Sequence, residues 1–223
     1  MTDIATFYGS FYQQPLLLAV PTLLWLLALL MALRPRDAVW KYCFVFAALS
    51  ALDAFLTAND VLGTGPWTGV WASVVPITFV VLGDFRVYFW TQPGSFKKKW
   101  PLALALSAVV PLASMGLGQL FPADWAANSR VLYLTYELLF LAFFSLVTLK
   151  VAGTRGFKDP YRAYALGYYA CWAAADVWLL QTNGTADAAW ILRIAANLLY
   201  YAGWTPWVYF QARRRNGSPV VTS

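Results

Sequence analysis

The sequence predicts an all-α protein threaded through a membrane, and three observations predict it. The 223 residues are 61% hydrophobic and only 12% charged, whereas roughly 25% charge is usual for a soluble domain. Apolar runs of helical length follow one another with short connections between them. The basic residues gather at alternate connections instead of being spread along the chain. A chain of 223 residues fits a single domain. The net charge of +6, clustered in this way, points to membrane topology rather than to nucleic acid.

A spanning helix needs ~20 mostly apolar residues to cross a ~30 Å hydrocarbon core. Seven stretches meet this: 15–33, 41–58, 69–90, 100–120, 130–150, 161–180 and 188–212. Residues 1–14 contain no Lys or Arg. They lack the positive region of a secretory signal peptide, so the first run is expected to remain in the protein. Arg34, Arg36 and Lys41 follow the first stretch, and Lys97, Lys98 and Lys99 the third. Lys150, Arg155, Lys158 and Arg162 follow the fifth, and Arg213, Arg214 and Arg215 the seventh. The alternate connections hold Asp60, Asp124 and Asp187, with Arg130 the one basic residue at an outer edge. Positive-inside then orients the chain N-out and C-in, and the bacterial inner (plasma) membrane is the expected location. Trp40, Trp67, Trp71, Trp90, Trp100, Trp125 and Trp207 fall near stretch ends, as interfacial anchors do. Pro21, Pro76, Pro111 and Pro206 lie inside stretches and are expected to kink them. The Lys97–Lys99 and Arg213–Arg215 runs could bind acidic lipid headgroups, or could serve topology alone.

Some chemistry is excluded at the outset. There is no histidine, so no imidazole can ligate haem, zinc or copper or act as a base. Cys43 and Cys171 lie within apolar runs at a spacing that fits no metal motif, and buried free cysteine behaves as a small hydrophobe. No metal site is expected.

The two ends of the chain look alike. Arg36-Asp37 precedes Tyr42 and Lys158-Asp159 precedes Tyr164, an offset of 122 between the tyrosines. Asp53 and Asp176 lie 123 apart in similar surroundings, and Val87-Tyr88-Phe89 and Val208-Tyr209-Phe210 lie 121 apart. Ordered landmarks at one offset suggest a parallel duplication of stretches one to three and five to seven, with the fourth as linker. The alternative is that apolar helices ending in Tyr and Trp look alike anyway. This three-plus-one-plus-three layout resembles the superfamily of microbial rhodopsins, SWEET sugar transporters and PnuC-type vitamin transporters. The resemblance covers the whole chain and is architectural. Rhodopsins hold retinal on a lysine of the seventh helix. Lys41, Lys97, Lys98, Lys99, Lys150 and Lys158 all lie elsewhere, so no retinal is expected. Asn197-Leu198-Leu199-Tyr200 and Trp204-Thr205-Pro206-Trp207 resemble the polar-aromatic substrate motifs of vitamin transporters in a different order. No residue role carries over.

Charged residues inside the apolar runs are the candidate site. Each costs at least ~2.5 kcal/mol to insert, so its presence needs a reason. At ~1.5 Å per residue, Asp53 and Asp176 lie roughly 18 and 21 Å above the inner boundary. Glu137 lies roughly 10 Å below the outer one, and Arg193 slightly nearer the outside. The four are expected in one layer. They sit on polar or aromatic stripes at helical spacing: Ser50, Asp53, Thr57 and Asp60; Tyr164, Tyr168, Trp172 and Asp176; Arg193, Asn197, Tyr200, Trp204 and Trp207. Three carboxylates and one guanidinium sum to −2, so a carboxyl is expected to hold a proton, or the site a cation. Arg193 is expected to pair with Asp176 or Glu137. Near the inner end of the third stretch, Asp84 could serve as an inner gate or pair with basic loops, and Arg86 is expected to snorkel to the headgroups.

The function expected is a small-solute transporter or ligand-binding protein, proton- or cation-coupled. Its ligand- or proton-binding residues would be Asp53, Glu137, Asp176, Arg193, Asn197, Tyr168, Trp172, Tyr200 and Trp204. Two alternatives stand beside it. One is an intramembrane lipid-modifying enzyme using carboxylates, which would work without His, a G-x-S-x-G elbow or a zinc signature. The other is a receptor, a pigment-binding protein or a structural subunit of a membrane complex. The partners expected are the lipid bilayer and a small molecule, with a homo-oligomer or larger complex compatible. The plain structural reading of the same charges is a buried salt-bridge and hydrogen-bond network that holds the helices in register.

Overall fold

The computed structural model describes residues 15–32, 37–58 and 68–217. The described chain is helical and contains no strand. Helix α1 is Pro15–Ala32, α2 is Ala38–Ala58, α3 is Thr68–Thr91 and α4 is Phe96–Gly118. A one-turn helix, Ala123–Ala126, leads to α5, Ser129–Ala152. A 3₁₀ segment, Gly153–Lys158, precedes α6, Pro160–Gln181. The last element is one rod in three parts: α7, Asp187–Leu198, a π-helical turn, Leu199–Gly203, and α8, Trp204–Gly217. Arg34, Arg36, Asp60 and Trp67 lie outside the described residues, as do the side chains of Thr57, Trp71, Pro76 and Arg215.

Local chemistry accounts for several boundaries. Asn128 caps α5, its side-chain oxygen accepting the Arg130 N–H at 3.0 Å, which satisfies one of the donors that every helix start leaves free. Pro160 opens α6, where its fixed φ suits a first turn and its missing N–H costs nothing. The π turn precedes Pro206. A proline there cannot donate to the carbonyl four residues back, and its ring crowds that carbonyl. The turn before it therefore opens.

Sequence neighbours pack as hairpins: α1 on α2, α3 on α4, α5 on α6 and α6 on α7. Short connections leave little other choice. α8 returns against α2, and the π turn lies against α1 and α2. The core is aromatic, with Tyr42, Phe46, Tyr88, Phe140, Phe144, Tyr168, Tyr169 and Trp204 all buried. Phe140 and Tyr169 stack with centroids 3.6 Å apart. Two of the tryptophans expected as interfacial anchors are tied inside the protein. Trp40 donates to Leu29 O at 3.0 Å, joining α2 to α1. Trp207 donates to Pro160 O at 3.0 Å, joining α8 to α6. Trp100 and Trp125 are exposed.

Seven membrane-spanning helices were expected, and the structure corrects this. Among the described residues two helices, over Lys97–Gly118 and Arg130–Lys158, are long and apolar enough to cross a membrane, and Leu18–Met31 is apolar but shorter. The seven-span bundle, its transport role, the parallel three-plus-one-plus-three repeat and the rhodopsin-like fold built on it therefore fall together. Charge alone does not separate the runs, since α5 keeps its span with Glu137 inside it. Arg162 and Asp176 interrupt α6, and α2 and α3 extend into residues whose side chains lie outside the described ones. The run 188–212 is divided by the π turn and begins with the twelve-residue α7, which carries Arg193. Much of the hydrophobic count in these runs is Ala, Tyr and Trp packed inside the protein.

Close approach at the π turn depends on glycine. A Cβ on Gly203 would lie 2.1 Å from the Tyr164 hydroxyl and 3.4 Å from its ring carbon. Gly203→Ala is therefore expected to lower stability by about 1–3 kcal/mol through overpacking. Tyr164→Phe, which removes the clashing oxygen, is expected to recover most of that loss in the double variant. Denaturant unfolding of the four-member cycle measures it, and an equal cost of Gly203→Ala in both backgrounds would contradict the contact.

Candidate functional site

Four charged side chains meet between α5, α6 and α7. Arg193 Nη1 lies 2.6 Å from Asp176 Oδ1 and 3.3 Å from Glu137 Oε1. Arg130 Nη1 lies 3.5 Å from the same Asp176 oxygen. All four are buried, Asp176 completely. Two guanidiniums and two carboxylates cancel, so this quartet is formally neutral. It is also poorly saturated. Both Asp176 oxygens, Glu137 Oε2 and all three Arg130 nitrogens lack an aligned hydrogen bond, so the Asp176 pairs are held by charge at short range, whereas Arg193 Nη1 donates a hydrogen bond to Glu137 Oε1. The aromatic rings of Trp190 and Tyr133 flank Arg130 at 5.0 and 5.8 Å, and Tyr133 also lies 5.5 Å from Arg193, which softens the loss of water around a cation.

One helical turn along α7, Asn197 Oδ1 accepts from Trp172 Nε1 at 2.7 Å. Trp172 packs on Tyr168, Tyr169 and Tyr200. Beyond it stands a second charged centre, around Arg86. This guanidinium is 1% exposed. It donates to Ser50 Oγ at 2.7 Å and to Tyr200 O at 2.6 Å, and its carbon lies 4.2 Å from the Tyr200 ring centre. The Tyr200 carbonyl belongs to the π turn. Its neighbours in that turn are used likewise: Leu199 O accepts from the Tyr164 hydroxyl at 3.1 Å and Tyr201 O from Thr22 Oγ1 at 3.4 Å.

Asp84, two residues before Arg86, accepts from Tyr136 Oη at 2.6 Å and from Tyr169 Oη. The two phenol oxygens lie 3.0 Å apart. Asp84 is fully buried, so the two phenols take the place of water as its hydrogen-bond partners. On the other side, Tyr42 Oη donates to Arg86 O at 2.7 Å and accepts from Trp204 Nε1 at 2.9 Å. Ser50, Asp53, Gly83, Arg86 and Tyr200 together line a void of about 10 Å³, about the space that one water needs. The Tyr201 hydroxyl is bonded to Asp53.

The structure thus brings Glu137, Asp176 and Arg193 together and sets Asp53 apart, beside Arg86. Tyr168, Trp172, Asn197 and Tyr200 lie between the two centres. Trp204 is buried on the Tyr42 side. Asp84 lies in the interior, bound to tyrosines. Arg86, expected to snorkel, is buried. Arg130, taken for an outer-edge charge, is part of the quartet. The spacing that grouped the other residues also covers Arg130, which stands two helical turns before Glu137 on the same face of α5. Tyr136 and Tyr169 carried no separate signal, since each adjoins a residue already singled out. With all these residues counted, Asp53, Asp84, Glu137 and Asp176 face Arg86, Arg130 and Arg193, a formal sum of −1 in place of the expected −2.

No protein family, no curated protein and no solved structure matches the chain.

Removing one partner of a buried ion pair costs about 3–5 kcal/mol, because the other charge is left behind. Arg193→Met is expected to cost that much. Arg130→Met should cost less, since Arg130 contacts Asp176 at 3.5 Å against 2.6 Å for Arg193. Unfolding midpoints of the two variants test the order, and the reverse order would show that Arg130 is the principal partner.

Proposed function

We propose that the chain is a proton-binding helical protein whose working centre is the polar file running from the Arg130–Asp176–Arg193–Glu137 quartet through Trp172, Asn197 and Tyr200 to Arg86, Asp84 and Asp53. The observation that carries this reading is the size of the void beside Asp53. At about 10 Å³ it has room for one water and none for an organic solute, for which pockets of ~300–1,000 Å³ are usual. What can be exchanged in such a place is a proton or a water. A metal ion is a poor occupant beside the Arg86 guanidinium, which shares the same wall.

The remaining residues fit this use. Tyr136, Tyr169 and Tyr42 are hydroxyls that both donate and accept, and they bridge Asp84 and the Arg86 backbone to the aromatic core. Asp84, fixed by two phenol partners, is the rigid member of the file. Asp53, beside the void, is the group that gains and loses the proton. Infrared difference spectra between acid and alkaline pH are expected to contain a carboxylic-acid carbonyl band that shifts in heavy water and is lost in Asp53→Asn. A folded wild type without such a band, or one whose band survives in Asp53→Asn, would refute the assignment.

We also propose that the protein resides in a lipid bilayer. Support comes from the two helices long and apolar enough to cross one, and from large apolar side chains on α1, α4 and α5, such as Leu24, Met31, Leu112 and Leu146, that are between 60 and 85% exposed. An apolar surface of this kind needs a cover. The expected outcome is that the chain stays in the membrane pellet through an alkaline carbonate wash and leaves it with detergent. Release by carbonate alone would place it elsewhere.

A further inference from the structure

At the far end of α6 from the quartet, an open cleft of about 420 Å³ is enclosed by the ends of five helices, α2, α3, α4, α6 and α8. Its volume falls in the range of small-ligand pockets, ~300–1,000 Å³. The polar part of its wall is Lys99, Asp159, Arg162 and Thr91, and the aromatic part is Trp90 and Tyr161.

Arg162 is the informative residue. It is 7% exposed, and its one hydrogen bond, from Nη2 to Thr91 O at 2.6 Å, goes to a neutral carbonyl. Among the described residues no carboxylate lies within ion-pair distance of it. Of the other buried arginines, Arg130 and Arg193 face carboxylates, and Arg86 shares a pocket wall with Asp53. A buried guanidinium without a counter-charge is unfavourable, since burying a charge is tolerated when it is paired. Lys99, half-buried on the opposite wall, also has no ion pair among the described residues and rests 5.7 Å from the Phe89 ring centre. Asp159 leaves the wall with a formal excess of one positive charge. The first turn of α4 adds Lys97 and Lys98 beside Lys99, and the 3₁₀ segment before Asp159 adds Arg155 and Lys158, whereas Asp37 is already held by Arg213 at 2.9 Å.

We infer that this cleft binds a phosphate group, with Arg162 and Lys99 as its cationic contacts and Trp90 and Tyr161 flanking the organic part of the ligand. A guanidinium presents parallel N–H donors that match phosphate oxygens, and a lysine adds a point charge without geometric demand. Both a soluble phosphate ester and the headgroup of a phospholipid carry this chemistry. The site is separate from the polar file and stands or falls independently of the proton-binding reading.

The test is thermal unfolding of the detergent-solubilised full chain against three probes. These are sodium phosphate compared with sodium chloride at equal ionic strength, dihexanoyl phosphatidic acid, and dihexanoylglycerol, which has the same acyl chains without the phosphate. A saturable rise in unfolding temperature is expected with a phosphate-bearing probe and not with chloride or dihexanoylglycerol. Arg162→Gln and Lys99→Gln are each expected to weaken the apparent affinity about tenfold, the scale of one lost charge-assisted hydrogen bond. A response to inorganic phosphate identifies a soluble ligand, and a response to phosphatidic acid alone identifies a headgroup. Both support the site. If Arg162→Gln does not fold, Lys99→Gln decides, because its side chain is partly in solvent. No response to either phosphate probe, or equal affinity in wild type and Lys99→Gln, overturns the inference.

Discussion

The bond from Arg86 to the Tyr200 carbonyl is the contact on which the interior depends. A guanidinium at 1% exposure must find acceptors inside the protein, and an α-helical carbonyl is normally already taken. The acceptor it finds lies in the π turn, the Tyr200 carbonyl. Formation of that turn, the approach of the Tyr200 ring over the guanidinium and the small size of Gly83 are thus one arrangement. A Cβ at Gly83 would lie 1.6 Å from the Tyr200 hydroxyl, so α3 can lie beside the turn because it offers no side chain there. Hydrogen bonds to charged groups contribute about 1.5–3 kcal/mol each, and Arg86 makes two. The same turn receives Thr22 from α1 and Tyr164 from α6. Three helices are therefore fixed to one short irregular segment of the last rod.

The charged groups divide into two centres of different character. The quartet is neutral and under-bonded. Buried ion pairs contribute little net stability compared with apolar packing of the same volume, so four such groups are inefficient as glue. The Arg86 centre is better satisfied, with hydroxyls and a carbonyl in place of a facing carboxylate, and it includes the small void. Asp84 sits next to it with two phenol donors and no cation within ion-pair distance among the described residues. Proton chemistry suits groups whose environment differs in this way, because a shared proton needs neighbours of unequal demand.

Helix positions were legible in the sequence because length and apolar continuity fix them: the run 161–180 corresponds to α6, and 130–150 to α5, with ends displaced by one or two residues. What the helices are buried against was not legible. Apolar windows count Ala, Tyr and Trp alike whether they face lipid or one another, and this is where the expectation of seven spans failed. The stripe on the last rod was readable because Arg193, Asn197 and Tyr200 follow helical spacing. The separation of Asp53 from the other acids was not, since depth along a helix says nothing of rotation about it. Arg86 and Arg130 were misread because a long side chain near the end of an apolar run has two destinations, the headgroup layer or the interior, and sequence position alone does not choose. Here tyrosines and carboxylates on neighbouring helices chose the interior.

The π turn also makes this rod tolerant of a change in length at one place. Wide turns hold one residue more than the α-helix they interrupt. Each residue of an α-helix turns by about 100°, so a residue lost within α7 would rotate everything beyond it by that angle, carrying Trp204 away from Tyr42 and Val208 out of the core. A residue lost between Leu199 and Gly203 instead closes the wide turn into an α-helical one and leaves α8 facing nearly the same way. Among related chains, single-residue gaps in this rod should therefore gather in this segment.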